Sequence, residues 1–206
     1  PFPRFQATLG VRYASRRVER KRALDPMKDE RWDIELNGTW SETSHIDQYT
    51  LNLYSQAPGS PGSSRVAFSS APSSAALALP AQIVILHQWR DTFSVRAGGD
   101  YNAIAGKLAL RLGVSYESSA TPTEYMNIDA WAVSRYGLHL GATWAFGGLK
   151  LSLAYAHIFY ATVNVPLGQG RLNEVVATVP EQAQAVNEGN YRASLNVISV
   201  QANGAF

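Results

Sequence analysis

Apolar and polar residues alternate along most of this chain. Residues 4–14 set Phe5, Ala7, Leu9, Val11 and Tyr13 on one side, with Arg4, Gln6, Thr8, Gly10 and Arg12 on the other. A period of two marks a strand whose faces meet different surroundings. The same alternation predicts strands over 31–41, 46–55, 82–102, 106–118, 135–146, 149–160 and 190–206, eight in all. Soluble strands average about 5–6 residues. A tilted strand needs about 9–11 to cross a bilayer, and most of these segments are that long.

The connections divide by length. Residues 56–80 are rich in Ser, Pro, Gly and Ala and read as a loop. Long connections are expected near 15–30, 56–80, 119–134 and 161–189, and short ones near 41–45, 103–105 and 147–148. Outer-membrane barrels have short periplasmic turns and longer extracellular loops, so the short set is assigned to the periplasm. Gly147-Gly148 suits a two-residue hairpin turn, because glycine accepts positive φ. A tight turn at Ala103-Ile104 pairs Asp100 with Lys107, Arg90 with Glu117, Val95 with Leu112 and Arg96 with Arg111. The first two pairs match charge; the last sets two cations side by side.

Aromatic residues collect near the strand ends. Tyr101, Trp144 and Phe146 lie beside the short turns, and Tyr13, Trp32, Tyr116, Tyr136 and Tyr155 toward the other end. Girdles of this kind mark the two membrane interfaces. No stretch reaches the 18 or so apolar residues of a membrane helix. The fold class is therefore all-β, an antiparallel transmembrane β-barrel of outer-membrane type with about eight strands present. A lipocalin-like barrel or β-sandwich is opposed by strand length, loop asymmetry and the aromatic rows.

Composition fits that wall. Charged residues make up 17% of the 206 residues, against about 25% in ordinary soluble domains. A formal charge of +2 gives no reason to expect a nucleic-acid partner. The absence of cysteine excludes disulfides, thiolate metal sites and a cysteine nucleophile. His45, His87, His139 and His157 have no metal spacing, and His139 faces the lumen. No serine–histidine–carboxylate set emerges from spacing, so neither catalysis, nor a metal, nor a cofactor is expected.

Ordered motifs add a resemblance. Gln88-Trp89-Arg90-Asp91-Thr92 runs on to Gly98-Gly99-Asp100-Tyr101. Leu110-Arg111-Leu112-Gly113-Val114-Ser115-Tyr116-Glu117-Ser118-Ser119 follows, with Pro122 beyond. The pair resembles the W-x-D-T/S…G-x-x-Y and L-R-x-G-x-x-Y-x-x-S-x-x-P pattern of FadL-type outer-membrane transporters of fatty acids and other hydrophobic compounds. Leu9-Gly10-Val11-Arg12-Tyr13, Thr39-Trp40-Ser41, Tyr155-Ala156-His157 and Asn187-Glu188-Gly189-Asn190-Tyr191 agree in order. The final strand ends on Phe206, which looks like the aromatic signal read by the barrel-assembly machinery.

The resemblance implies passive, ligand-gated uptake of long-chain fatty acids or other hydrophobic compounds, in the bacterial outer membrane. The alternative is a general diffusion porin or a small structural barrel. Family barrels have about fourteen strands, an N-terminal hatch and an apolar capture groove among the extracellular loops. The expectation is that residues 1–206 form the C-terminal portion of such a barrel.

The strand pattern also gives candidate ligand residues. Arg96, Asp100, Lys107, Arg111 and Glu117 face the lumen, where they form either a wall network that fixes register or, through the Arg96/Arg111 pair, a site for a carboxylate headgroup. Met126, Ile128, Trp131 and Val133, with Val163, Val165 and Leu167, would either line a capture groove or pack loop against loop at the barrel mouth. Residues 12–31 hold eight of the 18 basic side chains. If that connection is extracellular, Arg16, Arg17 and Arg20 would contact lipopolysaccharide phosphates or attract a fatty-acid carboxylate; the alternative is a solvated loop paired with its own Glu19, Asp25, Asp29 and Glu30. The expected partners are thus outer-membrane lipid and lipopolysaccharide, an apolar small molecule and the assembly machinery.

Overall fold

The computed structural model describes residues 4–17, 25–52, 54–55, 64–65, 82–128, 131–172 and 185–204. The strands are β1 (Gln6–Arg16), β2 (Glu30–Ser41), β3 (Gln48–Asn52), β4 (Tyr54–Ser55), β5 (Ser64–Arg65), β6 (Gln82–Leu86), β7 (Thr92–Ile104), β8 (Leu108–Glu117), β9 (Arg135–Phe146), β10 (Leu149–Tyr160), β11 (Val163–Val165), β12 (Gly189–Tyr191) and β13 (Ser194–Gly204). One helical turn, α1 (Pro26–Asp29), is capped by Asp25, whose carboxylate accepts the Met27 amide at 3.2 Å.

Seven strands form one antiparallel sheet in the order β1-β2-β7-β8-β9-β10-β13. Each wall strand holds 10 to 13 residues, enough to cross a membrane. Every neighbouring pair is antiparallel, a meander that needs only chain reversals between strands. The sheet is open, with β1 and β13 at its edges.

The predicted third strand, 46–55, is the exception. It leaves the wall, and Gln48–Asn52 pairs with Gln82–Leu86 in a separate two-stranded ribbon. The predicted strand 82–102 accordingly breaks at 87–91. His87 and Gln88 donate their amides to the Asp47 carbonyl at 2.7 and 2.9 Å, and Trp89 donates to Ile46 at 3.2 Å. Gln88 takes a φ of 48° at this corner. Ser41 of β2 then pairs directly with Thr92 of β7. The loop expected over 56–80 lies outside the described residues apart from Ser64 and Arg65.

Losing one wall strand flips the side of everything before it. Arg17 and residues 25–29 fall at the same end as the short turns 105–107 and 147–148. Contacts bear this out: Gly106 donates to the Met27 carbonyl at 2.9 Å, Asn102 to the Pro26 carbonyl at 3.0 Å, and Lys150 meets Asp25 at 3.9 Å. The expectation that grouped 15–30 with the long loops is corrected, as is the periplasmic turn at 41–45. The described residues of the connections 42–91, 118–134 and 161–193 lie at the opposite end.

The β9–β10 hairpin follows expectation, with Phe146 opposite Leu149 and Gly147 at φ 59°. The β7–β8 hairpin does not. Its turn contains Gly106 at φ 69°, and Ile104 pairs with Leu108 after a register shift. Asp100 therefore faces Arg111, Arg96 faces Ser115 and Val95 faces Tyr116. The shift is four residues from the expected register. An even shift leaves every side chain on its face, so the apolar pattern cannot distinguish the two.

The apolar face spans the wall. Leu9, Val11, Ile34, Leu36, Val95, Leu110, Leu112, Val114, Leu138, Leu140, Leu153, Ile198 and Val200 are all exposed. Phe5–Trp40, Phe93–Tyr116 and Tyr116–Tyr136 are ring contacts at 5.8, 5.6 and 5.0 Å near the long connections. Tyr13–Trp32, at 5.7 Å, lies near the short turns, level with Tyr101. Tyr13 and Trp32 thus belong to the opposite row from the one expected. Trp32 to Trp40 spans about 27 Å of strand, or roughly 20 Å of height at a tilt near 40°.

Candidate functional site

The other face carries the polar side chains, and they line a recess of about 1030 Å³. Alternation puts them there: Asp100, Arg111, Ser115, His139, Thr143, Ser152 and Gln201 hold the positions between the outward apolar residues. They are knitted together. Arg111 donates to Asp100 at 3.1 Å and to the Thr143 hydroxyl at 2.6 Å, and Thr143 is 2.7 Å from the Ser152 hydroxyl. Arg135 meets Glu117 at 2.7 Å. Toward the short turns Arg12 pairs with the buried Glu30 at 2.5 Å and also with Asp33.

The expected Arg96/Arg111 cation pair does not form. Arg111 is neutralised by Asp100, because the hairpin register differs by four. Arg96 instead lies opposite Ser115 and makes no ion pair among the described residues. Ser115 in turn sits 3.0 Å from His139 Nε2. Spacing along the chain could not reveal this pair, since 24 residues and a loop separate its members. No carboxylate hydrogen-bonds His139 among the described residues, so the arrangement offers polar contacts to a ligand rather than a complete nucleophile relay.

Of the two readings of the apolar loop residues, the described ones follow loop-against-loop packing at Met126, Val133 and Val165. Met126 and Val165 are each 1% exposed and form a small interior with Val133. Trp131, Tyr160, Val163 and Tyr191 pack against it. Asn187 fastens the two loops by donating to the Glu124 and Met126 carbonyls at 2.9 and 3.1 Å. Met126 and Val165 therefore hold loop to loop and line no open groove. Ile128 and Leu167 remain 76% and 88% exposed.

The expected lipopolysaccharide contacts lose their basis. Arg17 donates to the Asn102 carbonyl at 2.9 Å and Arg16 ends β1, both at the end that carries the short turns. That end is the one assigned to the periplasm, away from lipopolysaccharide. Arg20 and Phe206 lie outside the described residues.

Sequence reasoning missed one further functional position, Asp91. It accepts the Thr43 and Ser44 amides at 3.2 and 3.1 Å, and these bonds with the Ser44 hydroxyl hold its carboxyl below the usual range. It clamps the point where the long connection leaves and rejoins the wall. The Trp89-Arg90-Asp91-Thr92 motif was the available signal.

An antiparallel meander of membrane-length strands, apolar outside between two aromatic rows and polar inside, is the wall of an outer-membrane β-barrel. Residues 24–206 match the family model described as outer membrane protein transport protein (OMPP1/FadL/TodX), and the chain belongs to that family. Its fold is similar to the crystal structure of a Pseudomonas aeruginosa FadL homologue, with a TM-score of 0.52 and 18% identity. The match covers 96% of this chain and 34% of that one, so the chain spans about a third of that homologue's length. No curated protein matches it. The open sheet is accordingly part of a barrel, in the outer membrane.

Proposed function

We propose that this protein takes up long-chain fatty acids or other hydrophobic compounds across the outer membrane by passive, ligand-gated diffusion through the barrel. The carrying observation is the pairing of a broad lipid-facing apolar surface with a lumen face where Arg96 has no counter-ion among the described residues. A cation left unneutralised on a concave wall suits an anionic or polar headgroup. Phe206, two residues beyond β13 in the sequence, is the proposed signal to the assembly machinery. The wall contacts outer-membrane lipid through its exposed apolar face.

The test is transport by the full-length protein in proteoliposomes. Labelled palmitate or hexadecane should accumulate faster than in empty vesicles, while the vesicles fail to swell in isotonic sugar. Sugar-driven swelling without apolar uptake would replace this reading with a diffusion porin.

A further inference from the structure

The outward face carries few polar side chains, and two of them meet on the last strand pair. β10 turns Leu153, Tyr155, His157 and Phe159 outward, and opposite them on β13 stand Val200, Ile198, Asn196 and Ser194. At the level of the His157–Asn196 pair the other five wall strands present Leu138, Val114, Ala97, Leu36 and Val11. The pair is thus a polar notch in an apolar band.

The outer aromatic row fixes its depth. Phe159 pairs with Tyr136 and Tyr136 with Tyr116, and Phe159 is itself 52% exposed. His157 and Asn196 lie two residues nearer the middle of the wall, about 7 Å of strand, or roughly 5 Å of height at a tilt near 40°. Aromatic rows sit at headgroup level, so the notch lies where acyl chains join their headgroups. Its end of the wall carries the long connections, which face outward in such barrels. The leaflet it meets is therefore the outer one, which holds lipopolysaccharide.

Hydrogen bonding within the notch decides what it offers. Tyr155 donates its hydroxyl to Asn196 Oδ1 at 2.7 Å, and His157 Nδ1 lies 2.6 Å from the same oxygen. An amide oxygen only accepts, so Nδ1 carries the proton. An unpaired charge facing lipid is costly, so the ring is neutral and Nε2 is an acceptor. The Asn196 amide nitrogen keeps its two N–H donors. Neither nitrogen has a partner among the described residues. The Phe159 ring packs edge-on to the imidazole, with centroids 4.0 Å apart, and holds it in place. Below the notch Ile198 and Val200, each 73% exposed, continue as an apolar track.

A donor and an acceptor side by side in a membrane need a lipid that supplies both. Ester-linked phospholipids have only acceptor oxygens at this depth and leave Nε2 unpaired. An amide-linked, hydroxylated acyl chain has a carbonyl for Asn196 and a hydroxyl or N–H for His157. We propose that Tyr155, His157 and Asn196 form a site on the outer wall for lipid A, the acylated glucosamine anchor of lipopolysaccharide, with one acyl chain lying along Ile198 and Val200. The site concerns the lipid around the barrel and stands apart from the cargo inside it.

Native mass spectrometry of the full-length protein in detergent, titrated with hexa-acylated lipid A or with phosphatidylglycerol, tests it. The wild type should hold lipid A about tenfold tighter than phosphatidylglycerol, as expected for two added neutral hydrogen bonds. The double variant His157→Leu/Asn196→Leu should bring lipid A down to the level of phosphatidylglycerol and leave the latter unchanged. Ile198→Leu, an apolar exchange beside the notch, should keep the preference. Retention of a heat-modifiable band checks the folding of each variant. Equal affinity of the wild type for the two lipids, or an unchanged preference in the folded double variant, overturns the assignment. A wild-type dimer that the double variant loses would give the notch to a second copy of this chain and overturn it as well.

Discussion

Asp91 does at the scale of one residue what a disulfide or a metal does in other loops. It sits just before β7 and hydrogen-bonds the backbone just after β2, so 50 residues of connection between Glu42 and Asp91 start and end at one point. Thr43 closes the clamp from the other side, donating its hydroxyl to the Arg90 carbonyl at 2.5 Å. The folded-state pKa of Asp91 is depressed, with the Ser44 hydroxyl as the largest cause. A depressed carboxyl adds stability above its unfolded pKa, roughly 3.9, and that contribution is lost as pH falls through the folded value. The protection of the Thr43 and Ser44 amides, taken relative to the intrinsic exchange rate at each pH, should therefore fall on acidification below the usual carboxylate range. Asp91→Ala should exchange fast there at neutral pH and lose the acid dependence. Unchanged protection in that variant would move the clamp elsewhere.

Among the elements, the two long connections 118–134 and 161–193 are built as one cap. η-turn residues Thr123–Tyr125, the β11–β12 ribbon and the Met126–Val133–Val165 interior share side chains and the Asn187 bonds. Ser119 secures the start, donating its hydroxyl to the Thr121 and Ala132 carbonyls at 2.9 and 3.1 Å. The conspicuous serine of the sequence motif is thus a loop fastener. Met126→Ala should cost the cap about 2–5 kcal/mol, the usual range for emptying a buried large side chain. Limited proteolysis should then cut within 118–134 and 161–172 while the wall strands stay protected. Equal protection of cap and wall in the variant would mean that the cap draws its stability from elsewhere.

At the scale of the whole molecule, the decisive number is the parity of wall strands. With seven, the chain enters β1 at the long-connection end and leaves β13 at the short-turn end. The helical turn α1 and its neighbours then lie with the turns 105–107 and 147–148. The 206 residues contain no cysteine, so single substitutions can report sidedness. Gln169→Cys should react with a membrane-impermeant maleimide on intact cells. Lys28→Cys and Gly148→Cys should react only after the outer membrane is permeabilised. Labelling of Lys28→Cys on intact cells would restore an even count and return the basic run to the outside.

Much of this protein was determined by alternation alone. A period of two along 10-to-13-residue strands decides which side chains meet lipid, because each flip of the pleat exposes the next residue to the opposite medium. Fold class, the β9–β10 turn at Gly147 and the aromatic rows near the turns follow from it. Alternation carries no information on which strands are neighbours, nor on registers that differ by an even number. Only the tertiary structure took 46–55 out of the wall, where its own pattern looks like any other strand. It also moved the β7–β8 register by four, giving Arg111 to Asp100 and leaving Arg96 beside Ser115. The apolar loops became an interior for the same reason: Met126 and Val165 are buried against each other from loops 39 residues apart in the chain, which no local pattern encodes.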